Sequence, residues 1–211
     1  PIRKHFQLIF QDPFSSLNPR MTVRDLIAEP LKATKTGTPK QQTERVKELM
    51  AEVGLNPAFL NRYPHAFSGG QRQRIVIARA LTLNPKLIIC DEAVSALDVS
   101  VQARLLSLLM ELKERHGLAY IFIGHDLEVV RHVADRVAVM YAGRLVEDGP
   151  AEDVLSSSLH PYTSSLLATA PRPDPHFVYN SKPLSGEVPN PSNLPSGCVF
   201  HPRCPDAKET C

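Results

Sequence analysis

Two adjacent carboxylates close an unbroken apolar run, Leu87-Ile88-Ile89-Cys90-Asp91-Glu92. A run without polar alternation reads as a strand of a parallel sheet covered on both faces. The C-terminal end of such a strand is where α/β sheets receive ligands. Asp91 is therefore a candidate for holding Mg²⁺ against a nucleotide, and Glu92, which projects differently, a candidate base for an attacking water. The plainer alternative is a strand ending in a solvated acidic turn. A second group, Phe67-Ser68-Gly69-Gly70-Gln71, stands before Arg72-Gln73-Arg74-Ile75-Val76-Ile77. Two glycines at a helix entrance leave backbone N–H groups open to an anion, reinforced by the helix dipole and the Ser68 hydroxyl, although Ser-Gly-Gly also serves as an ordinary cap and turn. Taken singly, Gln11 is a loop amide, His125 a structural histidine after an apolar strand, and Asp98 an N-cap.

The elements that must position these groups alternate. An apolar, aromatic strand at residues 6–10 stops at Gln11-Asp12-Pro13. Helical periodicity follows from Thr22 to about Ala66, with Thr22 as a cap, Val46, Leu49, Met50 and Val53 along one face of a helix over 41–53, and Gly54 closing it. Further helices are expected at 70–83, 99–116 and 127–133, and strands at 87–90, 119–123 and 137–141. This alternation predicts a parallel α/β sheet. A hairpin is expected around Gly143, two short helices near 151–156 and 162–168, and an extended strap over 171–197, rich in proline, serine and asparagine. The sequence holds no internal repeat.

Composition sets bounds. The 211 residues suffice for one principal core, a smaller subdomain and a tail, and a net charge of +2 gives no electrostatic ground for a nucleic-acid binder. No apolar run approaches the ~18 residues of a membrane span. Of the four cysteines, Cys90 is alone in the apolar strand, while Cys198, Cys204 and Cys211 crowd the tail, a pattern suited to a reducing compartment and to metal chemistry more than to disulfides.

Phe67 to Arg74 resembles the signature sequence of ATP-binding cassette (ABC) proteins, with phenylalanine where leucine is commonest, and the Asp91-Glu92 strand resembles their Walker B motif at the family's spacing. Ser95-Ala96-Leu97-Asp98 is similar to the D-loop, Gly124-His125-Asp126 to the switch-histidine loop, and Phe10-Gln11-Asp12-Pro13 to the Q-loop, all in the family's order. The resemblance implies a P-loop NTPase-type α/β core, incomplete here, with a helical subdomain and an extended C-terminal tail. It implies ATP and Mg²⁺ as ligands. Gln11 would touch the metal or water, Asp91 would hold Mg²⁺, and Glu92 and His125 would be catalytic. Ser68, Gly69, Gly70 and Gln71 would bind the γ-phosphate of ATP on an opposing subunit, and Asp98 would line the contact between subunits. The domain reading is 1–21 for the strand end and Q-loop, 22–66 for the helical subdomain, 67–150 for the rest of the ATPase core, and 151–211 for the extension.

None of the ten glycines is followed by lysine, so the sequence has no Gly-Lys-Ser/Thr phosphate loop. In the family this loop and an adenine-stacking aromatic lie upstream of the Q-loop. The chain opens at Pro1 inside an apparent strand, so the expectation is a subunit lacking its N-terminal part and inactive alone. Residues 11–23, with His160-Pro161-Tyr162-Thr163, Gly186-Glu187-Val188-Pro189 and the segment Gly197 to Pro205, resemble the oligopeptide, dipeptide and nickel importer branch. That branch implies a second ABC ATPase subunit, two transmembrane permease subunits and an extracytoplasmic substrate-binding protein, with the chain peripheral on the cytoplasmic face of the membrane. Cys198, Cys204 and Cys211 are candidate ligands of a [4Fe–4S] cluster, as in some members of the branch, with a fourth ligand beyond Cys211; their spacing disfavours a zinc finger, and three reduced thiols remain the alternative. Two other functions stand beside the importer: a soluble ABC ATPase, and a non-catalytic module without the phosphate loop.

Overall fold

The computed structural model describes residues 4–95, 97–170, 184, 186–190 and 192–211. Ala96 of the expected D-loop and most of the expected strap, including all of 171–183, lie outside the described residues. Contacts divide the chain into two units, Pro1–His125 and Asp126–Cys211.

The first unit is built on three parallel strands, β1 (Phe6–Ile9), β2 (Leu87–Asp91) and β3 (Ala119–Ile123), in the spatial order β1-β2-β3. The register aligns Leu8 with Ile89 and Ile121, and Ile9 with Cys90 and Phe122. Successive side chains alternate between faces. Ile9, Ile88 and Cys90 are fully buried on one face. Phe6, Leu8, Ile121 and Ile123 on the other are 39–51% exposed, so among the described residues only one face is covered. The expectation of cover on both is not met within this unit, although the apolar residues that would require it are present on both.

The connection from β1 to β2 is helical. After a single turn, α1 (Pro13–Ser16), come α2 (Val23–Ala33), α3 (Pro39–Glu52) and α4 (Gly69–Leu81). Thr22 caps α2 by accepting the Asp25 N–H, as its place before the apolar repeat suggests. The third helix starts before the expected residue 41 because Thr38 and Gln41 form a reciprocal capping box and Pro39 takes the first position, where no N–H is needed. Its end is a Schellman turn: Gly54 sits at φ +71°, its N–H reaches the Ala51 carbonyl, and Leu55 N–H reaches Met50. Leu26, Ile27, Val46, Leu49, Met50, Ile75, Ile77 and Leu81 make the core among these helices. The buried Thr82 hydroxyl donates to the Ile27 carbonyl at 3.0 Å, tying the end of α4 to α2. Between β2 and β3 runs α5 (Val99–His116), capped by Asp98 and closed by Gly117 at φ +60°.

The second unit opens with α6 (Leu127–Val133), followed by the antiparallel hairpin β4 (Arg136–Tyr141) and β5 (Arg144–Pro150). Ala142 and Gly143 both have positive φ, 47° and 76°, as a tight hairpin turn of the right twist requires. The strand expected at 137–141 pairs in this hairpin and not in the parallel sheet, because its neighbour in sequence supplies an edge after only two residues. Helices α7 (Ala151–Ser156) and α8 (Pro161–Thr169) follow. The hairpin and α7 bury Val137, Val139, Val154 and Leu155. A second cluster gathers Tyr141, Val199 and the fully buried Phe200, with Tyr162 against them. Glu147 accepts the Leu159 and His160 N–H groups at 2.7 and 3.2 Å and so fixes the turn that starts α8. Among the described residues no helix is long and apolar enough to cross a membrane.

Candidate functional site

Three residues lie just past the ends of the three neighbouring parallel strands: Gln11 after β1, Glu92 after β2 and His125 after β3. Because β2 lies between β1 and β3, the central carboxylate is approached from both sides. The Gln11 Nε2 donates to Glu92 Oε2 at 2.6 Å, and His125 Nδ1 lies 3.1 Å from Glu92 Oε1. With the proton on Nδ1, the ring donates to the carboxylate and keeps Nε2 as an acceptor for a ligand. The Glu92 side chain is only 25% exposed, whereas His125 is 76% exposed and stands at the solvent edge. Residues 81 and 33 positions from Glu92 in sequence order thus meet on one carboxyl group by strand register alone.

The Glu92 backbone is in the left-handed region at φ +46°. A non-glycine residue there costs about 1–3 kcal/mol and persists only where its surroundings hold it. Several bonds do so. Its N–H donates to the Ile123 carbonyl at 2.9 Å, and its own carbonyl accepts from Ser95 N–H at 3.1 Å and Ser95 Oγ at 3.0 Å. The next residue is held from α4: buried Gln73 donates from Nε2 to the Ala93 carbonyl at 2.6 Å. Gln73 was not among the candidates from sequence. It lies between Arg72 and Arg74, where a polar amide reads as surface, and only the helical face it occupies reveals its burial.

Asp91, the last residue of β2, is half-buried and in register with Ile123. Mg²⁺ is usually held by one or two carboxylates with phosphate and water oxygens, not by an all-protein cage. One strand-end carboxylate with the Gln11 amide nearby in the same row of strand ends is a donor set that fits this habit. The absence of any group of three candidate metal ligands among the described residues is compatible with it.

The tail cysteines are a different case. Cys198 and Cys204 are half-buried against the Tyr141–Phe200 cluster, and Cys211 is exposed. What joins the ends of this segment is backbone: Cys198 N–H donates to the Cys211 carbonyl at 2.8 Å. His201 is engaged by the Cys198 carbonyl at 2.9 Å. Among the described residues Cys198, Cys204 and Cys211 do not form a group of three candidate metal ligands, and nothing in the structure supports the expected iron–sulfur cluster. A hydrophobic plug with a backbone clasp accounts for the segment.

Ser68 and Gln71 form a capping box on α4: Ser68 Oγ accepts from Gln71 N–H at 3.4 Å, and Gln71 Oε1 accepts from Ser68 N–H at 3.0 Å. The cap uses acceptor atoms on both side chains. The Ser68 O–H and the Gln71 NH₂ are donors, and with the first-turn N–H groups of Gly69 and Gly70 they suit an anion. The capping and anion readings are therefore compatible at the level of single atoms. Asp98 caps α5 through its Oδ1, 3.0 Å from Val101 N–H. The Ser100 hydroxyl, and after it the Val101 N–H, hold the Asp98 carboxyl below its ordinary range. A groove of about 330 Å³ lined by Leu31, Gly37, Arg45 and Asn84, among others, contains none of these residues. The candidate site is an open row of strand ends, not an enclosed pocket.

Comparison with known proteins matches residues 1–95 to the ABC transporter family and residues 146–211 to the oligopeptide/dipeptide transporter C-terminal region. The chain is 54% identical over 212 residues to the oligopeptide transport ATP-binding protein AppF of Bacillus subtilis, covering 100% of this chain and 64% of that protein. Identity is 55% over 213 residues to OppF, an oligopeptide transport ATP-binding protein of Salmonella typhimurium, with 100% and 64% covered. The dipeptide transport ATP-binding protein DppF of Haemophilus influenzae is 50% identical over 209 residues, with 99% and 64% covered. The chain thus spans slightly less than two thirds of the length of these relatives. Among solved structures, CbiO1 from Clostridium perfringens, described as part of the ABC transporter complex CbiONQ, aligns with a TM-score of 0.65 at 28% identity, covering 74% of this chain and 61% of that one.

Proposed function

We infer the function from one premise: this chain belongs to the ABC transporter family of ATP-binding proteins, in the group that carries the oligopeptide/dipeptide transporter C-terminal region. The proposed role is that of part of a subunit that binds and hydrolyses ATP to energise peptide uptake through a membrane permease. The observation that carries it is the Glu92 carboxylate held between Gln11 and His125 at the ends of three adjacent strands.

In this reading Glu92 takes a proton from the attacking water as its oxygen bonds to the γ-phosphorus and the bond to the β-phosphate oxygen breaks, releasing ADP. Gln11 and His125 keep both carboxylate oxygens in place before water arrives, so less reorganisation is needed during reaction. The exposed His125 offers Nε2 as a second polar contact for phosphate or water. Asp91 and Gln11 would hold Mg²⁺, which would supply charge neutralisation of the phosphates. Ser68, Gly69, Gly70 and Gln71 present their donors to the terminal phosphate of a nucleotide on a second ATPase subunit, and Asp98 lies at that contact. Such a subunit docks peripherally on permease subunits at the cytoplasmic membrane face, and peptide is delivered by an extracytoplasmic binding protein. Peptide as cargo is supported by the names of the relatives.

The test is a reconstitution. Full-length protein, its partner ATPase and permeases in proteoliposomes should take up labelled oligopeptide only with ATP and Mg²⁺. Hydrolysis without any peptide dependence of uptake would sink the importer role, and no hydrolysis would sink the enzyme.

A further inference from the structure

Gly70 is at negative φ and needs no glycine for its backbone. Its demand is for space. A Cβ built there would lie 2.6 Å from Val101 Cγ1, whereas one on Gly69 would meet Leu97 Cδ2 at an ordinary 3.6 Å. The obstructing atom cannot swing away cheaply, because a valine in a helix has one strongly preferred χ1 rotamer. Val101 is also fixed through its backbone, as its N–H is the one that the Asp98 cap accepts at 3.0 Å. A short rigid path therefore runs from the Asp98 carboxylate, through the first turn of α5, to the glycine turn that opens α4.

We infer that Val101 is a positioning residue: its Cγ1 occupies the place a Gly70 side chain would take and sets the distance between the Asp98-capped turn and the Ser68–Gln71 turn. The glycine at position 70 is required by this contact as well as by any approach of an anion. Asp98 acts on the phosphate-facing donors through Val101 and not through a bond of its own. The functional consequence rests on the proposed ATPase reading; the contact does not.

Two measurements on the full-length subunit assembled with its partner separate these claims. In the first, Val101→Ala lowers kcat/KM for ATP by roughly tenfold to a hundredfold, the scale expected when catalytic donors are misplaced by about 1 Å. The isosteric Val101→Thr keeps it near the wild-type value. In the second, thermal unfolding, Gly70→Ala lowers Tm, and adding Val101→Ala to it raises Tm again, because the new methyl group fills the space vacated. Unchanged kcat/KM in Val101→Ala, or equal losses in the alanine and threonine variants, overturns the positioning role. A double variant that melts no higher than Gly70→Ala overturns the contact. If the wild-type assembly hydrolyses no ATP, the proposed function fails, and the unfolding cycle still decides the contact.

Discussion

Replacing Glu92 by glutamine changes its chemistry while sparing its geometry. In the wild type one carboxylate oxygen accepts from Gln11 at 2.6 Å and the other lies 3.1 Å from His125 Nδ1. A glutamine at 92 can accept from Gln11 through its carbonyl oxygen and donate its NH₂ to His125 Nδ1, once the ring moves its own proton to Nε2. Both contacts survive, and the left-handed backbone is equally available to either side chain. What disappears is a group able to take a proton from water. General-base catalysis contributes about 10²–10⁴ in rate, or about 3–5 kcal/mol of barrier at 1.36 kcal/mol per decade. Glu92→Gln in the full-length protein is therefore expected to lower steady-state phosphate release by two to four decades, on that same scale. ATP binding, followed by fluorescence of a labelled nucleotide, stays near wild type, and the unfolding free energy changes by no more than about 0.5 kcal/mol. Phosphate release above about a tenth of the wild-type rate, with binding intact, would refute the assignment of the base.

Three further outcomes follow from particular contacts. Gly54→Ala places a Cβ at φ +71° and 2.9 Å from Arg74 Nη1, so it should lower stability by about 1–2 kcal/mol in urea titration; an unchanged midpoint would remove the Schellman turn from the stability of α3. Cys90 is buried, and desolvation pushes its thiol up to about 12, so alkylation at pH 8 with mass mapping should leave it unmodified until denaturant is added; modification in the folded chain at the rate of exposed Cys211 contradicts its burial. Asp25 is held below its ordinary 3.8, first by the hydrogen bond from Lys32 and then by that from Thr22. Its folded-state carboxyl favours ionisation, so its contribution is full above that value and is lost as pH falls through the depressed one. The stability gap between wild type and Asp25→Asn should accordingly be widest near neutrality and close in acid, and a gap independent of pH would show that the charge is irrelevant.

Much of this was readable from the chain because the relevant signals are local. Thr22, Ser68 and Asp98 are capping residues by type, Gly54 is a stop by conformation, and the run Leu87 to Cys90 can be little other than a buried strand. Strand order then brings Gln11, Glu92 and His125 together, which spacing suggests only when the motifs are taken as a series. Four features depend on long-range packing and left no local mark. Gln73 is buried because of the face of α4 it occupies, Val101 matters because α5 meets α4 at Gly70, and Phe200 anchors the tail through Tyr141 and Tyr162. The fourth is the tail itself, where neither the backbone clasp from Cys198 to Cys211 nor the aromatic plug leaves a mark in the spacing of three cysteines within fourteen residues.

The half-covered sheet has a consequence for divalent ions. By strand alternation Asp91 shares its face with Ile89, Ile121 and Ile123, the side left open in the first unit. The half-buried carboxylate there still meets water, which screens its pull on a cation; a layer of protein settling on those isoleucines would lower the local dielectric and strengthen that pull. If Asp91 holds Mg²⁺ as proposed, thermodynamic reciprocity makes the two events promote each other: whatever dries this face would raise the affinity for the metal, and the metal in turn would favour the dried state.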